Sequence, residues 1–85
     1  MKKETAEKIL VILWRWWLLD GGIGITLSQV SNWSGVPRST TYRYLKEMCV
    51  LGLVNGINRP YRNKIACHYT ITMSGRGWLE DDIPF

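Results

Sequence analysis

Apolar residues at helical spacing dominate the first twenty positions of the chain. Residues 9–19 comprise ten apolar residues and a single arginine. A membrane-spanning helix needs about 20 apolar residues, and no small-residue cleavage site of a signal peptide follows the run. The pattern instead predicts a helix over residues 6–19 that is not in a membrane, with Thr5 as its N-cap and Asp20-Gly21-Gly22 as its end.

The apolar side of this first helix is wider than one core face requires. At 100° per residue, Ile9, Ile12, Leu13 and Trp16 fall together and are expected in the core. The other apolar residues extend the arc well beyond the roughly 100° stripe of a typical surface helix. We therefore expect the excess to form an interface with a second chain. The residues assigned to that interface are Leu10, Trp14, Trp17 and Leu18.

Two further helical patterns occupy residues 26–51. Thr26 is a candidate N-cap for a helix over residues 27–34, and Gly35 suits the left-handed position after its end. Pro37 fits the first turn of a helix over residues 38–51, where its missing N–H has no consequence. The inward positions of this third helix are Thr41, Leu45 and Met48.

After the third helix the period of the pattern changes from helical to alternating. Strands are predicted over residues 53–57 and 65–71, with one buried face. The polar residues 58–64 between them contain turn formers and predict a basic hairpin tip. His68 lies on the alternate face of the second strand and is expected at the surface.

Residues 1–85 are expected to form a single α+β domain. Residues 22–25 are predicted as an extended link, and Thr72 as the cap of a short C-terminal helix over residues 73–80. The resulting order is three helices, a two-stranded β-hairpin and a short C-terminal helix. This order is the small winged helix–turn–helix arrangement, in which the hairpin is the wing and the third helix is the recognition helix.

Positive charge gathers in the second half of the chain. Residues 37–78 contain seven cationic residues and one acid, whereas the rest of the chain contains four cationic residues and six acids. Such clustering favours a polyanion as partner, and arginine side chains on a recognition helix can bind guanine edges in double-stranded DNA. The residues expected to contact DNA are Arg38, Ser39, Thr40, Tyr42, Arg43, Lys46, Arg59, Arg62 and Lys64.

The sequence offers little support for catalysis or metal binding. Its two cysteines, Cys49 and Cys67, form no CxxC pair, and His68 is the single histidine. No Gly-rich phosphate loop is present, and the one carboxylate cluster is the acidic C-terminal tail. We therefore expect no enzyme activity, cofactor or metal, and reduced thiols in a cytoplasmic protein.

Three segments carry a family resemblance. Residues 26–48 resemble the helix–turn–helix of IclR-type bacterial repressors without a gap, above all in GlyValProArgSerThrThrTyrArgTyrLeu at residues 35–45. LeuGlyLeuVal at residues 51–54 is similar to the helix-to-strand junction of winged-helix regulators. Residues 69–79 are similar to the strand-to-helix segment of MarR- and PadR-like proteins. The resemblance implies a DNA-binding winged helix with residues 38–51 as the recognition helix.

The chain departs from the IclR pattern at two points. IclR-type proteins carry a large effector domain after the winged helix, whereas this chain ends, so no small-molecule effector is expected. Trp33 occupies a position late in the second helix that is usually small. Its ring is expected either to pack under the third helix or to belong to an interface.

Two functions from different classes are compatible with these features. The first is sequence-specific binding of double-stranded DNA by a small homodimeric transcriptional regulator of bacterial or phage origin. The alternative is a winged helix used for protein contact, such as an inhibitor or adaptor encoded by a phage or mobile element, with the aromatic surface as its working part. The clustered positive charge favours DNA, because a protein-only adaptor has no need of it.

Overall fold

The computed structural model describes residues 1–81. These residues form four helices and three strands around one core. The strands form an antiparallel sheet in the order β1-β3-β2. The α+β winged helix–turn–helix fold is confirmed. The elements are α1 (Lys3–Asp20), β1 (Ile25–Thr26), α2 (Leu27–Ser34), α3 (Arg38–Val50), β2 (Val54–Tyr61), β3 (Lys64–Ile71) and α4 (Met73–Asp81).

Helix α1 begins earlier than its predicted N-cap. It starts at Lys3, and Thr5 lies inside the first turn, because Lys2 occupies the N-cap position without a side-chain cap. Its end agrees with prediction: Gly21 adopts a left-handed conformation with φ 70° and donates its N–H to the Trp17 carbonyl. The Asp20 carboxylate then accepts the next two backbone N–H groups, which closes the turn.

The wide apolar arc of α1 packs against several neighbours within the domain, among them α2, β3 and α4. Leu10 is fully buried in this packing, so the prediction that it lines an interface is wrong. Ile12 and Trp16, expected in the core, are half-buried. Trp16 stacks on Trp33 with 4.6 Å between ring centroids, so Trp33 packs on α1 and not under α3.

The helix–turn–helix follows its local sequence signals. Thr26 and Gln29 form a reciprocal capping box at the start of α2, and Gly35 ends the helix with φ 75°. Helix α3 ends at Val50, one residue before the predicted end. The predicted inward residues Thr41, Leu45 and Met48 are all fully buried.

The sheet is larger than the predicted hairpin. The predicted link at residues 22–25 contributes β1, in which Ile25 pairs with Tyr69 of β3. Strand β2 continues to Tyr61, so most of the predicted connection at residues 58–64 is strand and the turn is tight. Pro60 is tolerated there because β2 is an edge strand, whose outward N–H groups need no partner strand.

His68 is buried, contrary to its predicted place at the surface. Thr26 of β1 pairs with it on one side and Ile57 of β2 on the other, which leaves the side chain 7% exposed. Its Nδ1 lies 3.0 Å from the Ala66 carbonyl oxygen, and the Tyr61 ring meets it edge-on. The added strand β1 therefore accounts for the difference, since a two-stranded hairpin would leave His68 on an edge.

Helix α4 begins where the sequence predicts. The Thr72 hydroxyl accepts the N–H of Gly75 and donates to the carbonyl of Gly52, so one side chain both caps α4 and ties it to the end of α3. The helix extends to Asp81, one residue beyond the predicted end. The cap therefore connects the start of α4 to the residue that follows α3 and Leu51.

Candidate nucleic-acid interface

The turn between α2 and α3 is held by side-chain hydrogen bonds. The Ser31 hydroxyl donates to the Val36 carbonyl at 2.7 Å, and the Thr41 hydroxyl lies 3.2 Å from the same oxygen and 3.0 Å from the Pro37 carbonyl. These bonds satisfy the Val36 carbonyl, and the Pro37 carbonyl also accepts the backbone N–H of Thr41. As a result, α3 has a fixed orientation relative to α2.

The outward face of α3 is polar and accessible. Ser39, Arg43 and Lys46 are exposed and follow the spacing of four and three that places them opposite the buried face. Tyr42 is 43% exposed, and the Lys46 ammonium lies 5.3 Å from its ring centroid. Thr40 is half-buried at the flank of this face. The centre of the face therefore presents two cations and a hydroxyl.

Arg38 is directed towards α2 and not straight outward. Its Nη1 donates to the Ser28 hydroxyl at 2.8 Å, which holds the guanidinium beside the start of α2. The remaining guanidinium N–H groups stay free to bind an anion, since five donors belong to each arginine. This position suits contact with a backbone phosphate better than contact with a base in the groove floor.

The hairpin of β2 and β3 carries the other predicted cations. Arg62 occupies the tight turn with φ 57°, and its guanidinium carbon lies 5.5 Å from the Tyr61 ring centroid. Lys64 is exposed on the following strand. Arg59 is half-buried, and its Nε is enclosed without a hydrogen-bond partner among the described residues. The hairpin therefore projects two accessible cations at its tip and one nearer its base.

A groove of about 520 Å³ separates the helix–turn–helix from the hairpin. Arg38 and Tyr42 line it from α3, and Lys64 lines it from the hairpin. Arg43 faces a different depression, beside Lys2 and on the other flank of α3. The predicted contact residues therefore form one basic face but do not converge on a single point.

Most residues that line this groove were absent from the predicted set. Among them, Ser28 and Asn32 of α2 and Tyr61 of the hairpin carry polar groups. Ser28 and Asn32 are four residues apart on a helix, a polar pair that could have indicated the face turned to α3. No local signal distinguishes Tyr61, because its place depends on the length of the hairpin.

The residues that line the groove include no acidic side chain. Tyr69 and Cys67 line it, and burial with a hydrogen bond to Cys67 raises the pKa of the Tyr69 hydroxyl. Burial, reinforced by the nearby Cys67, also raises the pKa of the Cys49 thiol on α3. The Tyr69 hydroxyl and the Cys49 thiol therefore stay protonated at neutral pH and do not offset the cations near them.

The electrostatic character of the face is strongly one-sided. The described residues place six cationic side chains on α3 and the hairpin, with Glu47 as the single acid there. No ion pair engages any of the six among the described side chains; their neighbours are a hydroxyl and aromatic rings. Arg76 belongs elsewhere, because α4 holds it against α1.

Other kinds of site receive no support from the described part of the chain. Residues 1–81 contain no group of three or more histidine, cysteine or acidic side chains placed to hold a metal ion. None of their helices combines the length and apolar character needed to cross a bilayer. The basic face is therefore the best-supported functional surface.

A three-helix core, a basic face on the third helix and a basic hairpin together define a winged helix–turn–helix domain. Residues 17–55 match the family model of the IclR helix-turn-helix domain, which confirms the resemblance of residues 26–48 to that family. A search of curated protein sequences gave no match.

A solved structure shares the complete architecture. It is the crystal structure of a protein from Ralstonia eutropha that is described as a proposed DNA-binding protein. The match has a TM-score of 0.75 and 17% sequence identity, and it covers 99% of this chain and 100% of that chain. At this identity the match establishes the fold, including the hairpin and α4 that lie outside the family match.

Proposed function

We propose that this domain binds double-stranded DNA sequence-specifically and acts as a small, non-enzymatic transcriptional regulator. The observation that carries the proposal is the set of six cationic side chains on α3 and the hairpin, none in an ion pair among the described residues. Like charges gathered on one face repel one another in the free protein. A DNA duplex removes that repulsion, and each phosphate neutralised releases condensed counterions.

The proposed complex places α3 in the major groove. Ser39, Arg43 and Lys46 stand at the centre of its outward face and would meet base edges, since arginine pairs bidentately with guanine. Arg38, held beside α2, would bind a flanking phosphate. The hairpin would lie on the neighbouring backbone through Arg62 and Lys64, with Arg59 behind them.

Two copies of the domain are proposed to act together. A single winged helix reads few base pairs, and helix–turn–helix dimers gain specificity by binding two half-sites about 34 Å apart, one turn of DNA. The exposed apolar residues of α1, among them Leu18 at 64% exposure, support association with a second copy.

Salt dependence of duplex binding tests the proposal directly. Neutralisation of about six phosphates predicts a loss of affinity on the order of 10³-fold or more between about 50 and 200 mM salt. Lys64→Ala should lower the slope of the log–log plot by about 1. Lys8→Ala, which removes an exposed cation from α1, is the matched control and should leave the slope unchanged. Absent binding at low salt, or binding indifferent to salt, would overturn the DNA function.

The alternative function, a winged helix used for protein contact, rests on a specific feature as well. Trp33 is 44% exposed while stacked on Trp16, and it lies beside a depression lined by Glu4 and Arg15. An exposed tryptophan in a polar rim is typical of protein-binding surfaces. If Trp33→Ala abolished the biological effect of the chain while duplex binding stayed intact, the protein-contact function would be favoured.

A further inference from the structure

A second surface of the molecule is an apolar groove between α1 and α4. Val11 and Trp14 line it from α1 and Leu79 lines it from α4, with a volume of about 270 Å³ and almost wholly apolar walls. Val11 is 38% exposed, and Leu18, one heptad further along α1, is 64% exposed. These apolar side chains are therefore exposed to solvent and continue as one stripe along α1.

The walls of this groove are held rigidly before any partner arrives. The Arg76 guanidinium lies 4.9 Å from the ring centroid of Trp14 and 4.8 Å from that of Trp17, so the same cation contacts both rings. Such cation–π contacts fix the indole planes relative to α4. A preorganised apolar surface binds a partner with a smaller entropic penalty than a flexible one.

The two edges of the groove carry opposite charges. Arg15 forms one edge and Glu80 the other, and neither has an ion-pair partner among the described residues. In a face-to-face dimer, a two-fold axis that lies in the interface and runs along the groove would exchange its edges, because rotation by 180° about this axis places each edge of one copy against the opposite edge of the other. Arg15 of one copy would then face Glu80 of the other, twice in each dimer, while Val11 and Leu79 pack in the middle.

We propose that the α1–α4 groove is the contact with a second copy of this chain. The proposal deepens the dimeric part of the proposed function by naming its surface, and the charge pattern selects the occupant. A groove with one charge of each sign at its edges is complementary to itself under two-fold rotation. This assignment replaces an interface built on Leu10, which is buried, and retains Trp14 and Leu18.

The test is sedimentation equilibrium of the free protein, without DNA, so that it does not depend on the basic face. The wild type should form a dimer at micromolar concentration. Arg15→Glu and Glu80→Arg should each weaken the dimer by about tenfold, since each places like charges together at two symmetric contacts. The double variant with both reversals should restore the wild-type dimer, an outcome that simple damage to the fold would not produce.

A further pair of variants tests the apolar floor. Val11→Glu should abolish the dimer, whereas Val50→Glu, at a valine 87% exposed at the end of α3, should leave it intact. Circular dichroism confirms that each variant is folded. A wild type that is monomeric at high micromolar concentration, or a dimer indifferent to Arg15, Glu80 and Val11, would overturn the proposal. Dimers that appear only after removal of residues 82–85 would show that the chain's own end occupies the groove, and would overturn it equally.

Discussion

The two exposed faces of this domain differ in net charge and in polarity. The face of α3 and the hairpin carries six cations with one acid, whereas the α1–α4 groove is apolar with one charge of each sign. A polyanion lowers the repulsion within an excess of positive charge. Contact with a second apolar surface removes apolar side chains from water. The comparison indicates that the two faces suit partners of different chemistry, DNA at the basic face and a second copy at the apolar groove, as proposed above.

The largest expected effect concerns Gly75, where α4 packs closely against Leu53 and Ile71. A Cβ on Gly75 would collide with the Leu53 carbonyl oxygen and would lie 2.7 Å from Ile71 Cγ1. Gly75→Ala should therefore lower the free energy of unfolding by about 3 kcal/mol, although alanine favours a helix. Urea unfolding measures the change, and the loss of the α1–α4 face should lower dimerisation in parallel.

Gly77→Ala is the matched control for this prediction. A Cβ at Gly77 meets nothing within 4 Å, so the change should leave stability unchanged or raise it by up to about 1 kcal/mol. If both alanines stabilised the domain, the tight packing of α4 against the end of α3 would be refuted.

The second prediction divides the cationic face into its two parts. Arg43→Ala should lower affinity for the preferred DNA sequence by roughly 1–3 kcal/mol and relax discrimination, because Arg43 stands at the centre of α3. Lys64→Ala should weaken binding to every sequence alike, since it lies on the hairpin. Titrations against a selected duplex and a scrambled one measure both, and equal behaviour of the two variants would contradict the separate roles of helix and hairpin.

The third prediction uses the backbone conformation of the hairpin turn. Arg62 has φ 57°, a left-handed conformation that glycine adopts more readily than a residue with a Cβ. Arg62→Gly should therefore stabilise the domain by about 1 kcal/mol. The same change removes a cation and should reduce the salt slope of DNA binding by about 1. Opposite shifts in unfolding midpoint and DNA affinity would indicate strain retained for function. Asn63→Gly, at a residue without a positive φ, should give no gain in stability.

Local signals in the sequence predicted the helix–turn–helix closely. The Thr26–Gln29 capping box and Gly35 mark the two ends of α2. Their hydrogen bonds and conformations involve only residues within one turn of each end, so they can be read from the local sequence. The buried face of α3 followed from spacing alone. The basic face was predicted for the same reason, since an outward helix position is fixed by its neighbours on the same helix.

Features that depend on distant partners escaped prediction. Strand β1 has only two residues and exists through its pairing with β3, so no periodicity marks it. Leu10 and Leu18 look alike in the sequence, but tertiary packing buries Leu10 completely and leaves Leu18 64% exposed. The bond from Arg38 to Ser28 likewise spans two helices, so the sequence alone did not indicate which way the Arg38 guanidinium points.

The smallest expected effect lies beneath the cationic face and appears only at high pH. Burial raises the pKa of Cys49 above its ordinary 9.0 and that of Tyr69 above its ordinary 10.0. The folded state therefore holds these protons when the unfolded state has released them, so their stabilisation is complete below about pH 9 and is lost as pH rises through the folded pKa values. Urea unfolding at several pH values between about 7 and 11 should show a decline in stability that is shallower in Tyr69→Phe than in the wild type. An equally steep decline in the variant would show that Tyr69 is not the titrating group and would leave Cys49 as the group responsible.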